Sequence, residues 1–485
     1  MLWLGVRCLD LPLAALPAGD PDRPLAVVER QRVCAANASA AALGVVTGQP
    51  LASALALCPG LQVRQRDPAR ETAALEALGM AGYALTPTVA LRPPAALLLE
   101  VGGCLRLHGG LAPLLARLRE ILDLHRAPAA LGAAPTPAAA LLLSHAGAAP
   151  LEYLDPRSGS PQPAFDELLR SLPLDALDCA PRVREALARA GLRSLGALLA
   201  LPGGALGRRY GQDLLHYLQR VRGQRPDPQA PLALPPGFHR TLEFAAGVAD
   251  AAMLLFPARR LLQELSGYLR ARQRRCGSLH WRLSLEDGAA AALPLHLARP
   301  RGDLEHLLEL TRLGFAGLCL PAPVTALALE CDDLHAPADP PQPDLLGAPT
   351  PAADTAALQA LRDRLAARLG AAALARPLAC DEHLPERAAI LAPPDAGRHP
   401  EPSPPRAPRP LWLLDPPRPL ATRGGRPCLD REPLVLEHGP ERIEGHWWCA
   451  PASRDYYRAR AGDGRRCWLY RDRRSGGWFL HGLFG

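Results

Sequence analysis

At 485 residues, 48% of them hydrophobic and mostly Ala and Leu, the chain exceeds what one core usually supports, so several domains with separate cores are expected. Its formal charge of +7 rests on 55 basic residues that are all arginine, which excludes lysine-based chemistry and favours a polyanionic partner. No stretch reaches the roughly 20 uninterrupted apolar residues of a membrane span, and the 12 cysteines include no CxxC and no Cys/His pair at zinc spacing, so neither a metal site nor a disulfide framework is implied.

The amino terminus, MLWLGVRCLDLPLAAL, lacks a basic leader and is interrupted by Arg7 and Asp10; it reads as a first core strand rather than a signal peptide, which places the protein in the cytoplasm. Pro24 to Val28 reads as a second strand. Arg32 to Pro50 reads as a small-residue loop with turns at Gly44 and Gly48, leading into an Ala-rich helix, LASALALCPGLQV. Leu91 to Gly103, LRPPAALLLEVGG, has no polar face through Leu97, Leu98, Leu99 and Val101, so it reads as one buried strand at the centre of a mixed sheet. Its one acid is Glu100. Leu111 to His125 spaces leucines as a helix, and Leu172 to Arg225 is helical throughout.

Several of these segments resemble the Y-family (translesion) DNA polymerases. In order and spacing RVCAANASAAALGVVTGQP is similar to the family's fingers loop, keeping Asn37, Gly44, Val45, Gly48 and Pro50, with Thr47 for the usual Ser. GAAPTPAAALLLSHAGAA, from Gly132, resembles a palm element whose two lysines become Pro137 and Leu141. The resemblance implies an α+β multidomain right hand: palm and fingers over 1–165, a helical helix-hairpin-helix thumb over 166–233 and an α+β little finger over 238–336. It also implies which positions carried the chemistry. The family's two triphosphate-contacting residues fall on Ala38 and Ala41, and alanine can neither donate to a phosphate nor neutralise it. The first metal-binding Asp falls on Arg7 and the second acidic position on Leu9, while the adjacent Asp-Glu pair falls on Ala95 and Ala96. Two-metal phosphoryl transfer needs carboxylates clamping cations roughly 4 Å apart, so no catalytic residue, metal or cofactor is expected here. Glu100 alone survives, and it also reads as a strand-end or cap partner.

In the thumb, Gly191, Leu192, Leu195, Gly196 and Leu198 fit the hairpin pattern, but Asp178-Cys179-Ala180-Pro181 replaces its first Gly-x-Gly. Arg208, Arg209, Arg220 and Arg222 are candidates for DNA backbone contact, against a plain solvated helix face. Leu254 to Arg275 reads as a helix and Ser278 to Leu285 as a half-exposed strand; seven Arg against one Glu between Leu254 and Arg282 give a local +6. There Arg270, Arg272, Arg274, Arg275 and Arg282 are the DNA-contact candidates, against a solubilising helix end.

Residues 337–356 form a Pro-rich linker holding Gln342, Asp344, Leu345 and Leu346, similar to the peptide by which polymerases dock on the sliding clamp. An amphipathic helix region over 357–391 puts Leu358, Leu361, Leu365 and Leu369 on one face, as a partner-binding helix or a cap on a small unit. After a Pro-rich spacer over 392–410, residues 411–485 carry five of the seven Trp and read as a β-rich module whose aromatics serve single-strand stacking, a protein interface or core filling. GPERIEGHWW, RDYYRAR and WFLHGLF resemble the carboxy terminus of ImuB-type proteins, a polymerase-like branch of the Y family. That resemblance implies a non-catalytic adaptor in damage-induced mutagenesis, which binds primer-template DNA and the sliding clamp and recruits a RecA-like ImuA-type protein and an error-prone C-family polymerase. The alternatives are an active polymerase using displaced carboxylates such as Asp10 and Glu100, and a helix-hairpin-helix scaffold with no link to lesion bypass.

Overall fold

The run Leu97-Leu98-Leu99 is buried on both faces of its sheet, Leu97 and Leu99 in one apolar cluster and Leu98 in another. Two-sided burial is why the run lacks polar alternation. The computed structural model describes residues 1–17, 19–146, 161–337, 352–394, 408–445, 448 and 451–484. The chain divides into two units, Met1–Arg368 and Leu369–Gly485.

The first unit opens with β1 (Trp3–Cys8), α1 (Leu11–Ala14), β2 (Leu25–Glu29), β3 (Arg32–Ala36), α2 (Ala38–Ala42), α3 (Leu51–Leu57), β4 (Gln62–Gln65) and α4 (Pro68–Gly82). Then come β5 (Val89–Arg92), β6 (Ala96–Glu100), α5 (Leu105–His108), α6 (Leu111–Leu124), β7 (Ala129–Ala134) and α7 (Pro137–Ala146). Strands β5, β6, β1 and β7 form, in that order, an antiparallel sheet; β3, β2 and β4 form a second, small sheet in which β2 and β4 run parallel.

The palm sheet is sandwiched. On one face Leu4, Val6, Leu97 and Leu99 meet Leu75 and Leu78 of α4 and Leu114 and Leu118 of α6. On the other, Trp3 and Leu98 meet the alanines and leucines of α7, which in turn touches the thumb helices through Phe165, Leu187 and Leu214. Helix α7 lies so close that a Cβ on Gly5 of β1 would stand 2.5 Å from the Ala140 carbonyl oxygen, and one on Gly132 of β7 2.3 Å from it. Glycine in the strands and alanine in the helix are what allow this approach.

Four expectations for this stretch need correction, the first being the sheet itself, which is antiparallel throughout rather than mixed. Leu91 to Gly103 is a hairpin rather than one strand: Pro93 and Pro94 have no N–H to give a ladder, so the chain turns there and only Ala96–Glu100 is the inner strand. The stretch after Arg32 is β3 and α2 instead of a loop. The helix that follows stops at Leu57, where Pro59 disfavours helical geometry at Cys58, and the chain resumes as β4.

Helices α8 (Pro161–Ser171), α9 (Pro181–Arg189), α10 (Leu195–Leu199), α11 (Gly203–Tyr210) and α12 (Gln212–Val221) form the thumb segment. Beyond them lie β8 (Phe238–Val248), α13 (Leu255–Ala271), β9 (Arg275–Leu285), β10 (Ala290–Arg301), α14 (Leu304–Ala316), β11 (Val324–Cys331), β12 (Leu334–His335) and α15 (Ala352–Leu369). The sheet order is β10, β9, β11, β8, with β12 also on β9. Helix α13 ends at Ala271 rather than Arg275, because Gln273 takes a left-handed φ of 52° and turns the chain into β9. Helix α15 exposes Leu358, Leu361 and Leu369, while Asp363 is its buried residue, accepting from Ala298 N at 2.6 Å and bonded to His306 Nε2 at 2.9 Å.

In the second unit β13 (Arg376–Ala379) pairs with β14 (Ala389–Ala392). The β-rich module is a seven-stranded antiparallel sheet of β15 (Trp412–Arg423), β16 (Arg426–Leu429), β17 (Glu432–Pro433), β18 (Val435–Gly445), β19 (Ala452–Arg460), β20 (Arg466–Asp472) and β21 (Trp478–Leu483). Trp468 fills its core, stacked 4.2 Å from Tyr456, whereas Trp412 is exposed.

Candidate palm cleft and arginine surfaces

Arg7 is the last but one residue of β1, where the strand leaves the sandwich and its side chain becomes half-buried. The antiparallel registers set it opposite Ala96 of β6 and Ala130 of β7. Its Nε donates to the Ser144 carbonyl of α7 at 3.4 Å. Together with Ala95 and Ala96 it lines a cleft of about 490 Å³ between the palm sheet, α7 and the thumb. Thus the structure brings Arg7, Ala95 and Ala96 to one place. Leu9 lies beyond the strand, half exposed, with its N–H on the Pro128 carbonyl.

The cleft holds groups that sequence reasoning did not single out. Arg92 ends β5, and with Arg220 of α12 it flanks Asp227, each guanidinium 3.7 Å from Oδ1. Neither is a hydrogen bond. Arg92 Nε and Asp227 Oδ2 are buried without a hydrogen-bond partner. Tyr217 lies beside them, its hydroxyl pKa raised by burial and by the Asp178 carboxylate. Nothing in the spacing of Arg92, Asp227 and Arg220 announces that a hairpin, a linker and a helix converge here.

A pair of catalytic divalent ions, which the polymerase resemblance implies, does not fit this donor set. The palm side offers two guanidiniums, Arg7 and Arg92, with the methyl groups of Ala95 and Ala96, and the two cleft carboxylates are Asp178 and Asp227, the latter flanked by arginine on both sides. Among the described residues no group of three or more His, Cys, Asp or Glu side chains is placed to hold a metal. Glu100 is remote from the cleft. It pairs with Trp3 at the other end of β1, and its Oε1 accepts from Leu2 N at 3.2 Å and Gly102 N at 3.1 Å.

In the fingers segment Asn37 caps α2: its Oδ1 accepts from Ala40 N and Leu25 N, and its Nδ2 donates to the Arg23 carbonyl at 2.8 Å. Ala38 and Ala41 are on that helix, and Ala41 is exposed.

The arginines expected to meet DNA fall into different environments. Arg270 donates to the Ala84 carbonyl, and its pKa is lowered by burial and by the neighbouring Arg117 and Arg275. Arg272 donates to the carbonyls of Leu234 and Pro235 and lies 5.7 Å over the Tyr268 ring. These two fasten the little-finger helix to the palm and the linker. Arg274 and Arg275 are exposed on the turn into β9, and Arg282, on the open sheet face, pairs with Glu330 at 3.3 Å. In the thumb Arg208 donates to Gly204 of its own helix, Arg209 lies over the Tyr210 ring, and Arg222 is exposed. Arg220 alone of the nine lines the cleft. Gln342, Asp344, Leu345 and Leu346 lie outside the described residues.

Residues 18–145 match the impB/mucB/samB family. The chain is 30% identical over 482 residues to Protein ImuB of Caulobacter vibrioides, in strain NA1000 / CB15N and in strain ATCC 19089 / CIP 103742 / CB 15, covering 91% of this chain and 100% of each relative. Among solved structures it is similar to a Dbh ternary complex (14% identity, TM-score 0.36) and to DinB from Sulfolobus solfataricus (15%, 0.36), each alignment covering 70% of this chain and 100% of the other.

Proposed function

The chain belongs to the ImuB family, and from this premise we propose that it is a non-catalytic, polymerase-like adaptor of DNA-damage-induced translesion synthesis, acting in the cytoplasm on primer-template DNA. The observation that carries the reading is the register of Arg7 against Ala96, with Ala95 adjacent, in the palm cleft. A guanidinium repels a divalent cation and a methyl group cannot ligate one, so the chemistry passes to a partner. Ala38 and Ala41 on the fingers helix support the same conclusion for the incoming nucleotide. A polymerase with displaced carboxylates fares worse, because Glu100 is engaged by two backbone N–H groups at the far end of β1.

DNA contact is assigned to Arg208, Arg209, Arg220, Arg222, Arg274, Arg275 and Arg282. Residues 342–346 are proposed to dock on the sliding clamp, and the remaining partners are a RecA-like ImuA-type protein and an error-prone C-family polymerase. Among the described residues no helix is long and apolar enough to cross a membrane.

The test is a primer-extension and binding assay on the purified chain. Primed DNA should be bound with an affinity that falls steeply as salt rises, and no nucleotide should be added with Mg²⁺ or Mn²⁺. Extension that Glu100→Ala abolishes would refute the reading. Clamp capture should be lost in the double variant Leu345→Ala, Leu346→Ala; unchanged capture would reject the docking peptide.

A further inference from the structure

We propose that the palm cleft holds a nucleotide phosphate directly on guanidinium groups, Arg7 and Arg220 foremost, with no divalent cation between protein and phosphate. The inference rests on the reading of the chain as a DNA-binding adaptor and gives that cleft a ligand.

Charge is the first argument. Arg7, Arg92 and Arg220 line the cleft against two carboxylates, Asp178 and Asp227, an excess of one cation. Asp227 is shared by two arginines at 3.7 Å, too far for a hydrogen bond to either. Arg7 spends only its Nε, on the Ser144 carbonyl, and has no carboxylate partner among the described residues. Planar guanidiniums with unspent N–H groups suit the two-point grip of a phosphate.

Unsatisfied polarity is the second. Arg92 Nε is a donor buried without a partner inside this same cleft. A donor left in that state costs stability unless an acceptor fills the site, and a phosphate oxygen would supply one.

Shape is the third. At about 490 Å³ the cleft exceeds what a bare ion needs, and its lining also includes Pro94, Ala95, Ala96, Ala138, Leu142 and Tyr217. Apolar and aromatic lining beside guanidiniums matches a sugar and base attached to a phosphate. Two sources share that chemistry: the terminal nucleotide of a primer strand, and a free nucleotide.

Anisotropy of a fluorescein-labelled primer-template in EDTA, and thermal shift with inorganic pyrophosphate in EDTA, separate them. For wild type, DNA binding should persist in EDTA and gain nothing from added Mg²⁺, which acts only as a competing counterion. Arg7→Gln and Arg220→Gln should each make the log-affinity against log-salt slope about one unit shallower. A melting rise with pyrophosphate that both variants lose would assign the cleft to free nucleotide as well. Arg220 lies on the thumb surface, so its variant keeps the test open should Arg7→Gln fold poorly. DNA bound equally well by both variants, together with no pyrophosphate shift in wild type, would overturn the proposal while leaving the adaptor reading intact. Loss of all DNA binding by wild type would instead defeat the adaptor reading, and the pyrophosphate arm would still decide the cleft.

Discussion

Arg7 faces Ala96 across the β1–β6 register while Trp3 faces Glu100, so the one carboxylate left on β6 stands four residues along the strand from the cleft, about 13 Å at the strand rise. Glu100 instead holds the N–H groups of Leu2 and Gly102. Hydrogen bonds to a charged acceptor contribute more than neutral ones, so Glu100→Ala should cost about 2 kcal/mol in urea denaturation. It should leave affinity for primed DNA unchanged. A stable variant with impaired DNA binding would place Glu100 in the functional site after all.

Asn37 should behave as a fastening rather than a contact residue. Its side chain gathers Leu25 N, Ala40 N and the Arg23 carbonyl, three points that otherwise have no reason to converge. Asn37→Ala removes both a helix cap and the tie to the β2 strand, and a loss of about 2 kcal/mol is expected. Hydrogen exchange should speed up locally from residue 21 to residue 42; uniform exchange changes across the unit would contradict this.

Burial can be read from a sequence where it leaves a pattern, and this chain supplies both cases. The three leucines of β6 announce a strand covered on both faces, and the leucine spacing of α6 announces a helix; both exist. The turn at Pro93-Pro94 is visible in the letters yet masked by the apolar run around it. Helix α4, from Pro68 to Gly82, raises no expectation, though Asp67 caps it and Pro68 starts it. In α15 leucine spacing leaves a partner-binding face and a cap equally open, and the leucines stay exposed while a carboxylate that finds two hydrogen bonds holds the interior. Of the cleft, Arg7, Ala95 and Ala96 are legible through alignment to a motif, while Arg92 and Asp227 arrive from chain segments whose convergence only the fold decides.

The same buried carboxylate yields a stability prediction. Asp363 is 1% exposed, and its oxygens are matched to Ala298 N and His306 Nε2. Asp363→Ala leaves both donors buried and unpaired, which should cost about 3 kcal/mol. Proteolysis should then begin in α15; a variant as resistant as wild type would mean the helix is held by something other than this carboxylate.

Acid should weaken the junction between α6 and α13. His125 is 2% exposed with neither ring nitrogen hydrogen-bonded, and burial, with the Arg260 charge, holds its pKa well below the usual 6.5. It faces Glu264 at 3.9 Å, which Arg260 and Arg240 also flank at 3.5 and 3.6 Å. Below pH 6.5 the unfolded chain takes up a proton that the folded chain refuses, so stability falls as pH drops through that window. Glu264 works in the opposite sense from the ordinary carboxyl range upward, its own pKa raised by burial despite the two arginines. His125→Phe should flatten the loss below 6.5, seen as melting temperatures converging with wild type at acid pH; an unchanged pH slope would show that the imidazole is solvated.

The junction also has a steric seal at Gly267 of α13. A Cβ there would stand 2.1 Å from the Met80 carbonyl oxygen and 3.1 Å from its carbon, both on α4. The obstacle is backbone and cannot swing aside, and Met80 itself belongs to the little-finger core, so its turn of α4 is held from both sides. Forcing a methyl group into such a contact costs about 3 kcal/mol, and the relief available is a rigid shift of α13 away from α4. Gly267→Ala should therefore lower the melting temperature and also weaken binding to primed DNA, because Arg274 and Arg275 follow α13 directly and move with it. Gly204→Ala is the matching control: it lies in α11 with nothing within 4 Å of where the added methyl group would stand, and it should stabilise by about 0.5–1 kcal/mol. If Gly267→Ala melts as wild type does, the two helices are not in backbone contact and the little finger is held to the palm only by side chains such as Arg270.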